Sequence, residues 1–157
     1  MSGEIELKIR KLGLELPEAP AAVGSYAPAL QVGNLVVTSG QLPFDKDGIA
    51  FAGRIGAELG IGDGTHAARI CILNALAQIK ATVGDLDRVK QIVRVEGYVH
   101  SAPGFRDQPK VLNGASELLN EIFGDAGKHT RIALGVSEMP LNAAVQIAVW
   151  AEVEASD

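Results

Sequence analysis

The sequence predicts an α+β fold: a mixed β-sheet with two helices packed on one of its faces. Two kinds of periodicity carry that expectation. "DGTHAARICILNALAQIKATVG" puts Ala68, Ile72, Leu76, Ile79 and Val83 on one helical stripe, with Gly84 as a stop. "QIVRVEGYVH", residues 91–100, instead alternates, with Val93, Val95 and Val99 on one side and Arg94, Glu96, Tyr98 and His100 on the other. The third observation is "KHTRIALGVSEMPLNAAVQIAVW", residues 128–150, which reads as two strands joined by a turn.

The remaining elements fit around these. Ile5, Ile9 and Leu12 have close to helical spacing within residues 3–15, and Gly13, Pro17 and Pro20 end that helix. "LPEAPAAVGSY" reads as an extended connector. "ALQVGNLVVTSGQ" gives two short strands around Gly33-Asn34, a hairpin signal in the less usual Gly-Asn order. "FDKDG" is a further turn, and "FAGRIGAELG" a third strand weakened by its glycines. After a turn at Ala102-Pro103-Gly104, Val111, Ala115, Leu118 and Ile122 stripe a second long helix that stops at Gly124. The chain shows no repeats, linkers or low-complexity tracts. We expect one domain over residues 1–157, with residues 1–16 as a helical extension on a core of 17–153. Two helices of this length can cover one face of a sheet of about five or six strands.

Strand parity suggests what the other face carries. Ile132, Leu134 and Val136 share one side of the first C-terminal strand, and Arg131, Ala133 and Gly135 the other. In the second, Val145, Ile147, Val149 and Val153 oppose Gln146, Ala148, Trp150 and Glu152. Placing the β-branched sides under the helices sends Arg131, Gln146, Arg94, Glu96, Tyr98 and His100 to the open face. A mixed face that includes Trp150 and Ala148 suits burial against further copies better than water, so a homo-oligomer with clefts between subunits is expected.

Composition excludes several classes. With 47% apolar and 21% charged residues the chain is of ordinary globular type. No apolar run approaches the roughly 18 residues a membrane span requires, and the N-terminus lacks the apolar core of a secretory signal. One cysteine, Cys71, precludes an internal disulfide and fits a reducing compartment, so a cytoplasmic location is expected. The net charge of −5, with 14 basic residues scattered among 19 acidic ones, argues against a nucleic-acid groove binder.

Several residues stand out as chemistry. Arg131, beside the small Ala133 and Gly135, has an uncluttered approach and a planar fork suited to a carboxylate. The competing explanation is a structural pair with Glu96 or Glu152. Ser39-Gly40 closes a strand, where a hydroxyl and a close backbone N–H can hold a ligand oxygen, although a β-bulge explains the same pattern. Tyr26 offers a hydroxyl near the start of the sheet, or simply packing. Cys71 lies in an apolar helical run and reads as a buried structural thiol. His66, His100 and His129 lack metal-ligand spacing, so no metal site is expected. Neither a phosphate-binding glycine loop nor a nucleophile elbow is present.

"APAAVGSY", "VVTSGQLP", "LNGASELLNEIFG" and "HTRIALGVSEMPLNAAVQI" together resemble, in order and spacing, the signature regions of the Rid family, the YjgF-like proteins once labelled endoribonuclease L-PSP or translation inhibitors. The resemblance spans roughly residues 17–153 and points to a longer-chain branch. It implies a chorismate-mutase-like fold, a homotrimer with three inter-subunit clefts, and hydrolysis of small 2-imino acids to 2-keto acids and ammonia without a cofactor. In that scheme Arg131 grips the substrate carboxylate, Ser39, Gly40 and Ala133 contribute to binding, Tyr26 lines the cleft, and an acidic residue orients the attacking water. The acidic position is Gln146 here, which can position water but cannot take its proton as a carboxylate does. Ser25 stands where proline is usual, His129-Thr130 where Pro-Ala is usual, and Ala133 where cysteine is usual. Two readings follow, an enamine/imine deaminase and a non-catalytic binder of small carboxylate metabolites. The family's older label adds a third, an endoribonuclease, for which no His/Lys constellation is present.

Overall fold

The computed structural model describes residues 3–155. The strands β1 (Ala29–Val32), β2 (Leu35–Thr38), β5 (Val89–His100), β6 (Thr130–Val136) and β7 (Val145–Val153) form a sheet in the order β1-β2-β7-β5-β6. Only the β5–β6 pair is parallel. The short strands β3 (Phe44–Asp45) and β4 (Gly48–Ile49) make a separate two-stranded ribbon. The Gly33-Asn34 hairpin forms as expected, with Val32 paired to Leu35 and Gly33 at φ 59°, a left-handed conformation glycine adopts without strain.

Helices α2 (Ile61–Val83) and α3 (Gln108–Phe123) cover one face of the sheet. Their predicted stripes are the buried ones: Ala68, Ile72, Leu76, Ile79 and Val83 on α2, and Val111, Ala115, Leu118 and Ile122 on α3. They pack on Val95, Val99, Val145, Ile147 and Val149. α3 sits so close to β5 that a Cβ on Gly97 would lie 2.1 Å from Leu112 Cδ1. Glycine there lets the helix seat against the strand backbone.

The N-terminal helix α1 (Glu4–Lys11) is docked by remote residues. Its first two N–H groups, of Glu4 and Ile5, both donate to the Asp87 carboxylate at 2.9 Å. Ile9 is fully buried, and Glu6 pairs with Lys80 of α2 at 2.7 Å. Asp87 thus serves as an N-cap supplied from across the fold. Asp87→Ala should lower unfolding free energy by about 1 kcal/mol, read by denaturant titration, because both donors lose their acceptor.

Four sequence expectations are corrected. "FAGRIGAELG" is not a strand: Phe51 (φ 58°), Gly53 (φ 137°) and Gly56 (φ 93°) turn the chain repeatedly, and only isolated bridges join it to Ala143 and Ser101. Val93 is exposed, because a register shift between Ile92 and Arg94 puts Ile92 on the core face in its place. His100 keeps to the side of Glu96 and Tyr98, paired with Val136, but that side is covered there: it is only 2% exposed, and neither ring nitrogen has a partner among the described residues.

The fourth concerns β6. Arg131 pairs laterally with Val95, and Ala133 with Gly97, so both lie on the helix-covered side. Ile132 and Leu134, expected in the core, instead lie beside Glu96 and Tyr98 on the open side, where Leu134 is 52% exposed. β6 is the edge strand, and its apolar side faces away from the helices.

Candidate functional site

At the end of β2 the ladder with β7 slips. Between the Val37–Trp150 pair and the Gln41–Ile147 bridge, β2 advances four residues while β7 goes back three. Ser39-Gly40 therefore occupies a β-bulge, so the bulge and ligand-holding explanations of this segment are compatible. The bulge is fastened on both sides. Val149 N–H donates to Thr38 Oγ1 at 3.0 Å, Ser39 N–H to Pro28 O at 2.8 Å, and Gln41 N–H to Ile147 O at 2.7 Å. Gly40 N–H takes no partner among the described residues, which leaves one backbone donor free.

Gln146 packs over this bulge. A Cβ on Gly40 would lie 2.2 Å from Gln146 Oε1 and 2.6 Å from its Cδ, so only glycine admits the amide here. Among the described residues the Gln146 amide otherwise makes only a 3.9 Å contact to Met139 Sδ. Tyr26 closes the near side. Its hydroxyl oxygen accepts from Val23 N–H at 3.2 Å, which leaves the O–H free to donate. Tyr26, Ser39, Gly40 and Gln146 thereby line one cleft of about 390 Å³, together with the 20–23 connector and Leu141. Leu141 and Asn142 adopt consecutive left-handed conformations (φ 57° and 58°) at its rim, strained for residues with side chains.

Two residues behind the bulge escaped sequence reasoning. The buried Gln41 side chain donates to Ser39 Oγ at 3.1 Å, and the buried Gln78 of α2 donates to Gln41 Oε1 at 3.3 Å and to Pro20 O at 2.6 Å. One helix turn earlier, Asn74 donates to Leu42 O and Phe44 O, both at 3.0 Å. These amides hold the connector and the bulge in place. The available signal was Asn74 and Gln78, four residues apart inside the apolar run "CILNALAQI".

Arg131 is not in this cleft. It and Gln146 lie on opposite faces of the sheet, with β5 between their strands. Arg131 Nη1 donates to Asn113 Oδ1 at 2.9 Å and to Ser116 Oγ at 3.2 Å, both on α3. The structural pairing with Glu96 or Glu152 does not occur. Glu96 accepts from Arg94 Nε at 3.0 Å and from the Tyr98 hydroxyl at 3.2 Å, and Glu152 pairs with Lys90. Burial first, and then the Glu96 charge, raise the Tyr98 hydroxyl above its ordinary range, which keeps it a donor. With Nη1 occupied by neutral acceptors, the Nε–Nη2 edge of Arg131 has no partner among the described residues. Ala133, two residues on, packs against the helix-side core.

His129 joins the same group. Its Nδ1 lies 2.6 Å from Gly127 O and its Nε2 2.8 Å from Ser116 Oγ. Cys71 is fully buried, its thiol 3.6 Å from Val145 O, and burial pushes its pKa well up. Iodoacetamide should leave Cys71 unmodified in the native protein and label it on denaturation, as read by mass spectrometry.

The model of the family described as "YjgF/chorismate mutase-like, putative endoribonuclease" matches residues 6–153. The chain belongs to the YjgF family. This YjgF chain is 39% identical over 153 residues to Protein TCP17 of Trypanosoma cruzi, covering 97% of its own length and 96% of that protein. It is 27% identical over 134 residues to a 2-iminobutanoate/2-iminopropanoate deaminase of Dermatophagoides farinae, covering 85% and 90% of the two chains. A crystal structure described as a "putative endoribonuclease" from Shewanella oneidensis is 41% identical and superposes with a TM-score of 0.93 over 96% of this chain and 100% of that one. The fold is accordingly the chorismate-mutase-like α+β fold of the YjgF family. Among the described residues no helix is long and apolar enough to cross a membrane, and no group of His, Cys, Asp or Glu is placed to hold a metal.

Proposed function

We propose that the protein hydrolyses small 2-imino acids to 2-keto acids and ammonia, in a site completed between copies of the chain as a homotrimer. The observation that carries this reading is the free Nε–Nη2 edge of Arg131. A guanidinium with one nitrogen tethered to Asn113 and Ser116 and the opposite edge open is preorganised for a bidentate carboxylate. The family relative named as a 2-iminobutanoate/2-iminopropanoate deaminase supports an imino acid as the carboxylate's owner. Within the cleft, Gly40 N–H, the Ser39 hydroxyl and Tyr26 supply donors for the substrate and the developing oxygen, and Gln146 positions the water.

The arrangement of the faces supports assembly. One chain holds Arg131 and the Gln146 cleft on opposite sides of its sheet, so a substrate touching both needs a second copy. The open face carries Leu134, Val93 and Leu30, all exposed, and Trp150, apolar surface spread across the sheet that suits such burial. Leu134→Asp should give monomers by sedimentation velocity, with loss of activity, because the charge would be desolvated at the interface.

Gln146 in the family's acidic position favours a second reading, in which the site binds carboxylate metabolites without hydrolysing imines. The deciding experiment generates imines in situ with an amino-acid oxidase and follows ammonia release. Release accelerated over buffer supports hydrolysis. No acceleration for any imino acid, with pyruvate still binding by calorimetry, would leave the binder.

A further inference from the structure

The cleft that holds Gln146 offers one titratable side chain, the Tyr26 phenol, whose oxygen already accepts from Val23 N–H. Its lining contains no carboxylate, imidazole or thiol, yet imine hydrolysis must take a proton from water and deliver one to nitrogen. His129, two residues before Arg131, shares the Ser116 hydroxyl with the guanidinium proposed to grip the carboxylate. We propose that Ser116 and His129 form the proton relay of this site, an inference that rests on the deaminase reading above.

The geometry fixes the hydrogen bond at Nδ1, and ring neutrality then sets the one at Nε2. Gly127 O can only accept, so the 2.6 Å contact requires the proton on His129 Nδ1. In the neutral ring Nε2 is then a bare lone pair, and Ser116 donates its hydroxyl to it at 2.8 Å. Ser116 Oγ in turn accepts from Arg131 Nη1 at 3.2 Å. A base oriented by a third group and holding a hydroxyl within hydrogen-bond reach is the arrangement general-base chemistry needs. His129 and Ser116 are half-buried, so both are reachable from the surface. Any copy that brings Arg131 to a neighbour's cleft brings this pair with it. The charged groups on the surrounding elements are occupied or peripheral: Asp125 pairs with Lys128, Lys90 with Glu152 and Arg94 with Glu96, while Glu117 follows Ser116 on the exposed side of α3. Arg131 is the charge in direct contact.

The steps balance without a cofactor. Water oxygen bonds to the iminium carbon as the C=N π pair moves to nitrogen. The water proton passes to Ser116 Oγ while the Ser116 proton moves to His129 Nε2. The relay runs backwards to protonate the amine of the carbinolamine. The C–N bond then breaks, the hydroxyl proton leaves through Ser116 to His129 as C=O forms, and the departing ammonia carries that proton away as ammonium.

The test uses the intact protein and 2-iminopropanoate generated from alanine by an oxidase, with pyruvate as binding probe. His129→Gln should lower kcat about 10²-fold and abolish the acid limb of the pH–rate profile, with KM and pyruvate affinity within about twofold of wild type. Ser116→Ala should match its loss of rate, with a smaller loss of pyruvate affinity because Arg131 loses one of its two tethers; the double variant should lose no more rate, and Ser116→Thr, which keeps a hydroxyl, should recover most of it. If His129→Gln fails to fold, the Ser116→Ala and Ser116→Thr pair decides. A wild type that releases ammonia while Ser116→Ala or His129→Gln keeps its rate and pH profile overturns the relay and leaves the deaminase reading standing. So does a variant whose pyruvate affinity falls as far as its rate, since the pair would then only prop Arg131. A wild type that releases no ammonia overturns both.

Discussion

Arg131→Ala should weaken pyruvate binding by about 10²-fold or more, and Arg131→Lys by nearly as much. Truncating one partner of a hydrogen-bonded charge pair typically costs about 2–5 kcal/mol, and each 1.4 kcal/mol is tenfold. Lysine keeps the charge but not the fork, so a bidentate site should not be rescued by it. Stability should barely change, within about 0.5 kcal/mol, because Arg131 has no carboxylate partner among the described residues and its contacts are to two neutral side chains, the exposed Asn113 and the half-buried Ser116. Isothermal calorimetry and thermal melting together separate the outcomes. A large loss of stability with little loss of binding would make Arg131 a structural strut tying β6 to α3. Unchanged affinity in both variants would remove the carboxylate site.

The helices were legible in the sequence because the stripes read from periodicity lie in the core, although α2 buries Ala67, Cys71 and Ala75 beside its stripe. The C-terminal strand was legible for the same reason: β7 lies between two neighbours, so its alternation maps cleanly onto inside and outside. β6 was not, because parity says which residues share a side but not which side is covered. The rule that the more apolar side faces the helices failed at this edge strand, where Ile132 and Leu134 face the open side. That misreading put Arg131 and Gln146 on one face when the structure separates them, and the separation is what makes a second copy necessary for the proposed site. The slip at Ile92–Arg94 was equally hidden, since a bulge inserts one residue without altering composition. Tyr26, Ser39, Gly40 and Gln146 were gathered by the family resemblance and not by periodicity, as their contacts cross long stretches of chain.

Gly40→Ala should lower kcat/KM for imine hydrolysis by about 10²-fold while leaving the protein folded. The added methyl would sit 2.2 Å from Gln146 Oε1, 2.6 Å from Cδ and 2.8 Å from Cγ, distances no native contact tolerates. All three atoms belong to a flexible side chain, so Gln146 gives way and the fold does not. Expelling the amide removes the group proposed to position water, and the methyl crowds the free Gly40 N–H, where loss of a polarising donor is of the order of 10²–10³ in rate. The mechanism makes a stricter demand than a single rate. If Gly40→Ala acts mainly through Gln146, then adding Gln146→Ala to it should cost little more than Gly40→Ala alone, a strongly non-additive cycle. Fully additive losses would mean that the glycine serves the backbone donor and that Gln146 acts separately. A Gly40→Ala protein with wild-type rate would show that neither the bulge nor the amide over it takes part in the reaction, and the cleft would have to be reassigned.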